Sequence, residues 1–212
     1  MNDKLMRRSL LLVGVGLLLG GGRARAQELV ATPSNKFELR LASGYGQGLG
    51  PVAAGVPTLQ ELGSAGGTLL VDLGYRLDPR WEVGVYGEFG LFGAGKLPGG
   101  DQAFSLGAGL QGQLHLAPAG RFDPWVGLGV GWRGYWSDLH GGAYGLQGLD
   151  LARFQVGLDY RVAPTFAVGP VAGITLTKFL SAEPLGANGY NDTRDRKVNA
   201  FVFGGVGGRF EL

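Results

Sequence analysis

Large apolar residues alternate with small or polar residues along most of this chain. Residues 69–77 place Leu, Val or Tyr at every second position, and residues 81–91 repeat this with Trp, Val, Phe and Leu. Residues 104–116 and 154–162 follow the same rule. A period of two is typical of a β-strand with one apolar face, and no segment after Gln27 has helical spacing over a useful length. The sequence therefore predicts an all-β fold.

About eight such segments occur, each near the roughly 10 residues that a tilted strand needs to cross a bilayer. Their connections are expected to alternate in length, as in a single antiparallel up-and-down transmembrane β-barrel. The predicted short connections are residues 78–80, 117–124 and 163–165, and the predicted long, Gly-rich ones are residues 46–66, 93–102, 137–145 and 181–196.

The first 26 residues have the pattern of a cleaved secretory signal peptide. Lys4, Arg7 and Arg8 precede an apolar run at residues 10–19, and Ala24-Arg25-Ala26 provides a small-x-small cleavage site. The apolar run is shorter than the roughly 20 residues of a transmembrane helix. We therefore predict a signal peptide at residues 1–26 and an outer-membrane barrel domain at residues 27–212.

Charge and cysteine content exclude several classes of protein. The chain has 19 basic and 17 acidic residues, but five of the basic and one of the acidic residues lie in the predicted signal peptide. The remaining domain carries a net charge of −2 and no basic stripe, so nucleic acid is not an expected partner. There is no cysteine, which excludes disulfides and thiolate metal sites, and no cofactor is expected.

The two faces of the predicted strands differ in side-chain size. One face carries most of the aromatic residues, and the other carries many of the 42 glycines together with scattered charges. The interior of an eight-stranded barrel is only just wide enough for side chains. We therefore predict that the glycine face lines the lumen and that the aromatic face contacts lipid. A soluble, lipocalin-like binding calyx, with the opposite polarity, is the alternative.

This polarity brings charges of both signs into the lumen. Unpaired charges in a narrow interior are costly, so a network of ion pairs is expected. We interpret it as a plug that fills the barrel, and a selectivity lining is the alternative. Tyr86, Tyr135, Phe201 and Phe203 also face inward, where they would fill space left by glycine or line a small apolar pocket. The candidate network consists of Arg40, Asp72, Arg76, Glu82, Glu88, Arg133, Arg153, Asp159, Arg161, Arg209 and Glu211.

The chain ends in Val-Gly-Gly-Arg-Phe-Glu-Leu at residues 206–212. With the signal peptide, the alternating strands and the unequal connections, this strand resembles that of the small outer-membrane β-barrel proteins, the broad OmpA/OmpX/OmpW-like class. The resemblance implies outer-membrane lipid and lipopolysaccharide as surroundings. It also implies that the barrel-assembly machinery reads the final strand through Phe210 and Leu212. In that class the last residue is usually aromatic, whereas here the aromatic residue comes two positions earlier.

Three functions are compatible with such a barrel. The favoured one is a structural or surface-interaction role, and the alternative is a narrow channel for small or apolar molecules. A lipid-modifying enzyme would need a nucleophilic Ser with a His and a carboxylate. Ser137, Asp138 and His140 are of these types but fall in a predicted flexible loop, and His115 is expected near a turn. No enzymatic activity is therefore predicted.

Overall fold

The structure, a computed structural model, describes residues 36–97, 100–139, 142–185 and 195–212. The predicted signal peptide lies outside these ranges. Eight strands make up nearly all of the described chain: β1 Phe37–Leu49, β2 Gly63–Arg76, β3 Trp81–Ala94, β4 Gly100–His115, β5 Phe122–Leu139, β6 Gly142–Ala163, β7 Phe166–Leu185 and β8 Val198–Glu211.

Each strand pairs antiparallel with the next one along the chain. The barrel closes because β8 also pairs with β1, in a register that runs from Glu38↔Glu211 to Leu49↔Ala200. This confirms the predicted eight-stranded up-and-down architecture, and closure leaves no free sheet edge. Among the described residues, no helix has the length and apolar character needed to cross a membrane.

The three connections β2–β3, β4–β5 and β6–β7 are short, as the sequence predicts, and they define what we call the turn end of the barrel. In the β2–β3 turn, Asp78 Oδ1 accepts hydrogen bonds from the backbone amides of Arg80 at 2.7 Å and Trp81 at 2.9 Å. These two bonds lower the pKa of the Asp78 carboxyl. A side chain that accepts from amides two and three residues onward fixes the chain reversal.

At the opposite, loop end, the prediction of four long connections is wrong in part. β5 ends at Leu139 and β6 begins at Gly142, so most of the predicted third loop is strand. β7 likewise continues to Leu185, within the predicted fourth loop. Glycine and polar residues there suggested loops, but cross-strand pairing extends the ladders well past the length needed to span a bilayer.

The outward surface is apolar around the whole barrel. Leu69, Val85, Leu110 and Phe154 are examples of outward residues that remain 47–64% exposed. Near the turn end, aromatic pairs form a belt: Phe37–Tyr75, Phe122–Tyr160 and Phe166–Phe210, with ring centroids 4.8–5.2 Å apart. This polarity is that of a membrane barrel and the reverse of a soluble calyx.

Inward glycines make room for the largest side chains of the lumen. A Cβ at Gly131 would lie 2.4 Å from the hydroxyl oxygen of Tyr86. A Cβ at Gly157 would lie 2.5 Å from the indole ring of Trp125, which is 1% exposed. The high glycine content therefore has a packing role, since the lumen could not hold these rings beside larger residues.

Candidate functional site

The lumen holds the most unusual feature of the molecule, a set of buried ionisable groups. Within the described part of the chain, eight carboxylates, six arginines and His115 are buried there. All eleven side chains of the candidate network are among them. The remaining four are Glu38, His115, Asp123 and Asp150, which neighbour the network on β1, β4, β5 and β6.

The lower cluster, as we call the groups near the turn end, is centred on Arg209. Its guanidinium lies 3.3 Å from Asp123, 3.2 Å from Asp159 and 3.3 Å from Glu211. Asp123 Oδ2 also lies 2.7 Å from His115 Nδ1. Each of these residues is close to the end of its strand, so the cluster ties β4, β5, β6 and β8 together across the lumen.

Two further arginines of the lower cluster bind the turns. Arg76 forms an ion pair with Glu38 and donates a hydrogen bond to the carbonyl oxygen of Pro79 at 2.5 Å. Arg161 pairs with Glu211 at 2.9 Å and donates to the carbonyl oxygen of Pro164 at 3.0 Å. Turn carbonyls that strand pairing leaves free are thereby satisfied by buried guanidinium groups.

Arg40 completes the lower cluster on the side of β1. It donates two hydrogen bonds to the carboxylate of Asp159, at 2.9 and 3.2 Å. Its guanidinium also lies 4.1 Å from the ring centre of Trp125, whose indole N–H donates to Asp159 at 3.1 Å. The bidentate pair and the cation–π contact hold this arginine across the width of the barrel.

The upper cluster comprises Glu88, Arg133, Asp150 and Arg153. Arg133 lies 2.7 Å from Glu88 and 3.0 Å from Asp150, and Arg153 pairs with the second carboxylate oxygen of Glu88. Asp150 additionally accepts hydrogen bonds from Thr177 at 2.6 Å and Tyr86 at 3.1 Å. Four strands are thus cross-linked near the middle of the barrel by groups that are almost completely buried.

Between the two clusters lies a belt of polar groups with incomplete hydrogen bonding. Among the described residues, neither carboxylate oxygen of Asp72 has a hydrogen-bond partner, and the same is true of the side-chain amide of Gln111. Arg153 Nε and Gln155 Oε1 are also without one. Buried polar groups are usually satisfied, so this belt is where water is expected inside the barrel.

The loop end is filled differently, by an apolar cap from the β1–β2 connection. Val52, Ala53, Leu59 and Leu62 of this connection are at most 7% exposed. They pack against inward aromatic and aliphatic residues of six strands: Phe92, Ala103, Tyr135, Leu146, Phe179, Ala182 and Phe201. Tyr135 and Phe201 therefore face inward as predicted, in a cluster formed with a loop.

The cap has its own local structure. A short helix, α1 Leu59–Leu62, begins at Thr58, whose side chain accepts from the Glu61 amide while the Glu61 carboxylate accepts from the Thr58 amide at 2.7 Å. The hydrogen bonds from Thr58 lower the pKa of Glu61. Ser137 Oγ donates to the carbonyl oxygen of Leu62 at 2.7 Å, which attaches α1 to β5.

Two groups in the lower cluster have the donor types of a metal site. Glu38, Glu82 and His115 can bring ligand atoms within 4.8 Å of one another, as can His115, Asp123 and Asp159. Arg209, however, lies 3.8 Å from Glu38 of the first group, and 3.3 Å from Asp123 and 3.2 Å from Asp159 of the second. A guanidinium inside the donor set would repel a metal cation, so we interpret these groups as an ion-pair network.

Sequence patterns overlooked three members of the clusters. Asp123 and Trp125 fall around Pro124, which suggested a turn, yet β5 begins at Phe122. Asp150 was missed because β6 has a register shift between Asp150 and Ala152. Even-numbered side chains such as Asp150 face the lumen before the shift, and odd-numbered ones such as Arg153 face it afterwards. Leu149 and Leu151 both face outward, so alternation places Asp150, which lies between them, in the lumen.

Ser137 and His115, two of the possible catalytic residues, are not brought together. Ser137 is buried and bonded to the cap, whereas His115 belongs to the lower cluster near the turn end. His140 lies outside the described residues.

Comparisons with known proteins identify the fold. No family model and no curated protein sequence matches the chain. Among solved structures it is similar to Neisserial surface protein A, with 16% identity over 83% of this chain and 97% of that one and a TM-score of 0.53. Matches also include OprG of Pseudomonas aeruginosa, with 16% identity over 84% and 98% of the two chains and a TM-score of 0.48. Outer Membrane Protein W of E. coli gives 18% identity over 86% and 100%, with a TM-score of 0.47. The closed eight-stranded topology and the similarity to Neisserial surface protein A show that the chain has the fold of the small eight-stranded outer-membrane barrels.

Proposed function

We propose that residues 27–212 form a barrel of the bacterial outer membrane with a structural or surface-interaction role, exported by the signal peptide at residues 1–26. The turn end would face the periplasm and the loop end the cell exterior, as short periplasmic turns and longer outer connections are typical of such barrels. The largely apolar outward surface and the aromatic belt support insertion in lipid.

The observation that carries the role is that side chains cross the lumen at three levels. The lower cluster spans the barrel through Arg209 and Arg40, the upper cluster through Arg133, and the apolar cap occupies the loop end. Each guanidinium is held by two or more partners. We infer that the lumen is closed to ions and solutes, so function resides on the outer surface and in the connections.

A narrow channel is the second candidate, because the polar groups between the two clusters, at Asp72, Gln111 and Gln155, include atoms without hydrogen-bond partners. Conductance of the purified protein in planar bilayers separates the two. We expect no single-channel steps from the wild type. We also expect none from the double variant Leu59→Asp/Leu62→Asp, since removing the cap leaves both charged clusters in place. Wild-type steps that shift on Arg153→Gln would instead establish transport.

Placement in the outer membrane requires a separate test. Membrane fractionation should recover the protein with the outer membrane, and its gel mobility should change on boiling, as expected of a folded barrel. Recovery in the soluble periplasmic fraction would contradict the proposal. A Phe210→Ala/Leu212→Ala variant should assemble poorly if the final strand is read by the barrel-assembly machinery. A Phe37→Ala/Tyr75→Ala variant, which removes an aromatic pair of the aromatic belt outside the final strand, should assemble normally.

A further inference from the structure

One charged side chain interrupts the apolar outward surface. Thr177 and Phe179 of β7 are buried inside the barrel, so alternation along the strand places Lys178 on the outward face. Its cross-strand neighbours are Leu149 on β6 and Val198 on β8, both exposed and apolar. Among the outward-facing strand side chains that the structure describes, Lys178 alone carries a charge.

The height of Lys178 relative to the aromatic belt explains how lipid tolerates this charge. Lys178 follows Phe166 of the belt by twelve residues on one strand without a register shift against β8. At about 3.3 Å per residue and a tilt of about 40°, the lysine lies roughly 30 Å above the belt. The apolar band of such barrels is about 25 Å tall. Lys178 is therefore at the level of the lipid headgroups on the loop side.

An apolar groove runs down the outward surface beside this lysine. Its volume is about 580 Å³, and it exists because Ala108 is small between the larger outward residues Leu110, Trp132, Leu149 and Leu151. Leu149 lines the groove and is also the cross-strand neighbour of Lys178. A second groove of about 600 Å³ shares Leu110 and continues toward the turn end.

From this arrangement we infer that the β4–β7 surface binds a phosphorylated glycolipid of the outer leaflet, lipopolysaccharide, with a lipid phosphate on Lys178 and an acyl chain in the groove. A cation at headgroup height above a hydrocarbon groove matches both parts of such a lipid. Lys197 is exposed at the same rim, but so is Asp195, so the inference depends on Lys178. It also depends on the proposed insertion in the outer membrane.

Native mass spectrometry of the refolded full barrel with bisphosphorylated lipid A tests the inference. We expect Lys178→Gln to weaken binding about fivefold, the effect of one basic residue near a membrane surface. The matched control Lys36→Gln, at an exposed lysine of the turn end, should not change it. Dephosphorylated lipid A should bind the wild type and Lys178→Gln equally, and millimolar inorganic phosphate should not compete.

The groove is tested independently of the charge. Ala108→Phe should weaken binding of both lipid A forms, whereas Ala172→Phe, at an exposed outward alanine that does not line the groove, should not. Equal affinity of the wild type and Lys178→Gln for bisphosphorylated lipid A would overturn the inference. The inference would also be overturned if Lys178→Gln weakened phosphatidylglycerol binding as much as it weakens binding of bisphosphorylated lipid A, because the site would then not select the glycolipid. Either result, in protein that still inserts and shifts on boiling, would leave the proposed membrane location intact.

Discussion

The two ends of the lumen are filled by opposite means. Near the turn end, and up to the middle, the barrel is crossed by arginine–carboxylate pairs whose members all project from strands. At the loop end it is filled by aliphatic residues that one connection contributes. The charged clusters are therefore parts of the barrel wall, whereas the apolar cap is a separate piece attached to it. We therefore expect the charged clusters to open only when the barrel unfolds and the apolar cap to open on its own.

The largest expected effect comes from Arg133 of the upper cluster. Arg133→Met leaves Glu88 and Asp150 buried without their main partner, which should lower the free energy of unfolding by about 3–5 kcal/mol. Denaturant unfolding in lipid vesicles, followed by tryptophan fluorescence, measures the change.

Matched variants show whether the loss arises from the unpaired charges. Arg80→Met, at an exposed arginine of the β2–β3 turn, should change stability by no more than about 0.5 kcal/mol. Adding Asp150→Asn to Arg133→Met should recover part of the loss, because Glu88 keeps its ion pair with Arg153 and Asp150 then no longer leaves an unpaired buried charge. Equal stability of Arg133→Met and Arg80→Met would show that the upper cluster does not hold the wall together.

An intermediate effect is expected in the cap. Leu59→Ala removes a completely buried side chain and should lower the local free energy of opening by about 2–4 kcal/mol. Amide hydrogen exchange should accelerate across residues 50–62, while the strands keep their protection. Val56→Ala, at a residue only partly buried against the cap, should have a smaller effect. Equal acceleration in the strands would mean that cap and wall open together, which would remove the distinction between the two ends.

The sequence predicts the wall well and the cap poorly, for physical reasons. Period-two alternation fixes the face on which Arg133 and Glu88 lie, because successive side chains of a strand point to opposite sides. Register shifts weaken this rule, which is why Asp150 was overlooked. The cap depends on a four-residue helix whose only local signature is Thr58 followed by Glu61 three residues later. Its position over the lumen results from tertiary packing of Leu59 and Leu62, which no periodicity encodes.

The smallest expected effect is a pH dependence confined to the cap. Hydrogen bonds from Thr58 lower the pKa of Glu61 below its ordinary value of about 4.3. The charged carboxylate therefore stabilises the start of α1 at neutral pH, and this contribution is lost as the pH falls through the lowered pKa. Hydrogen exchange of residues 58–62, corrected for its intrinsic pH dependence, should accelerate in the wild type as the pH falls below the ordinary range of a glutamate carboxyl. In Glu61→Gln it should be faster at neutral pH and lack that transition.

Asp78→Asn is the matched control, because Asp78 is also an acceptor of backbone amides with a lowered pKa, but at the turn end. A cap that responds to Asp78→Asn as it does to Glu61→Gln would show that the two ends are coupled through the wall, and that the cap does not open on its own.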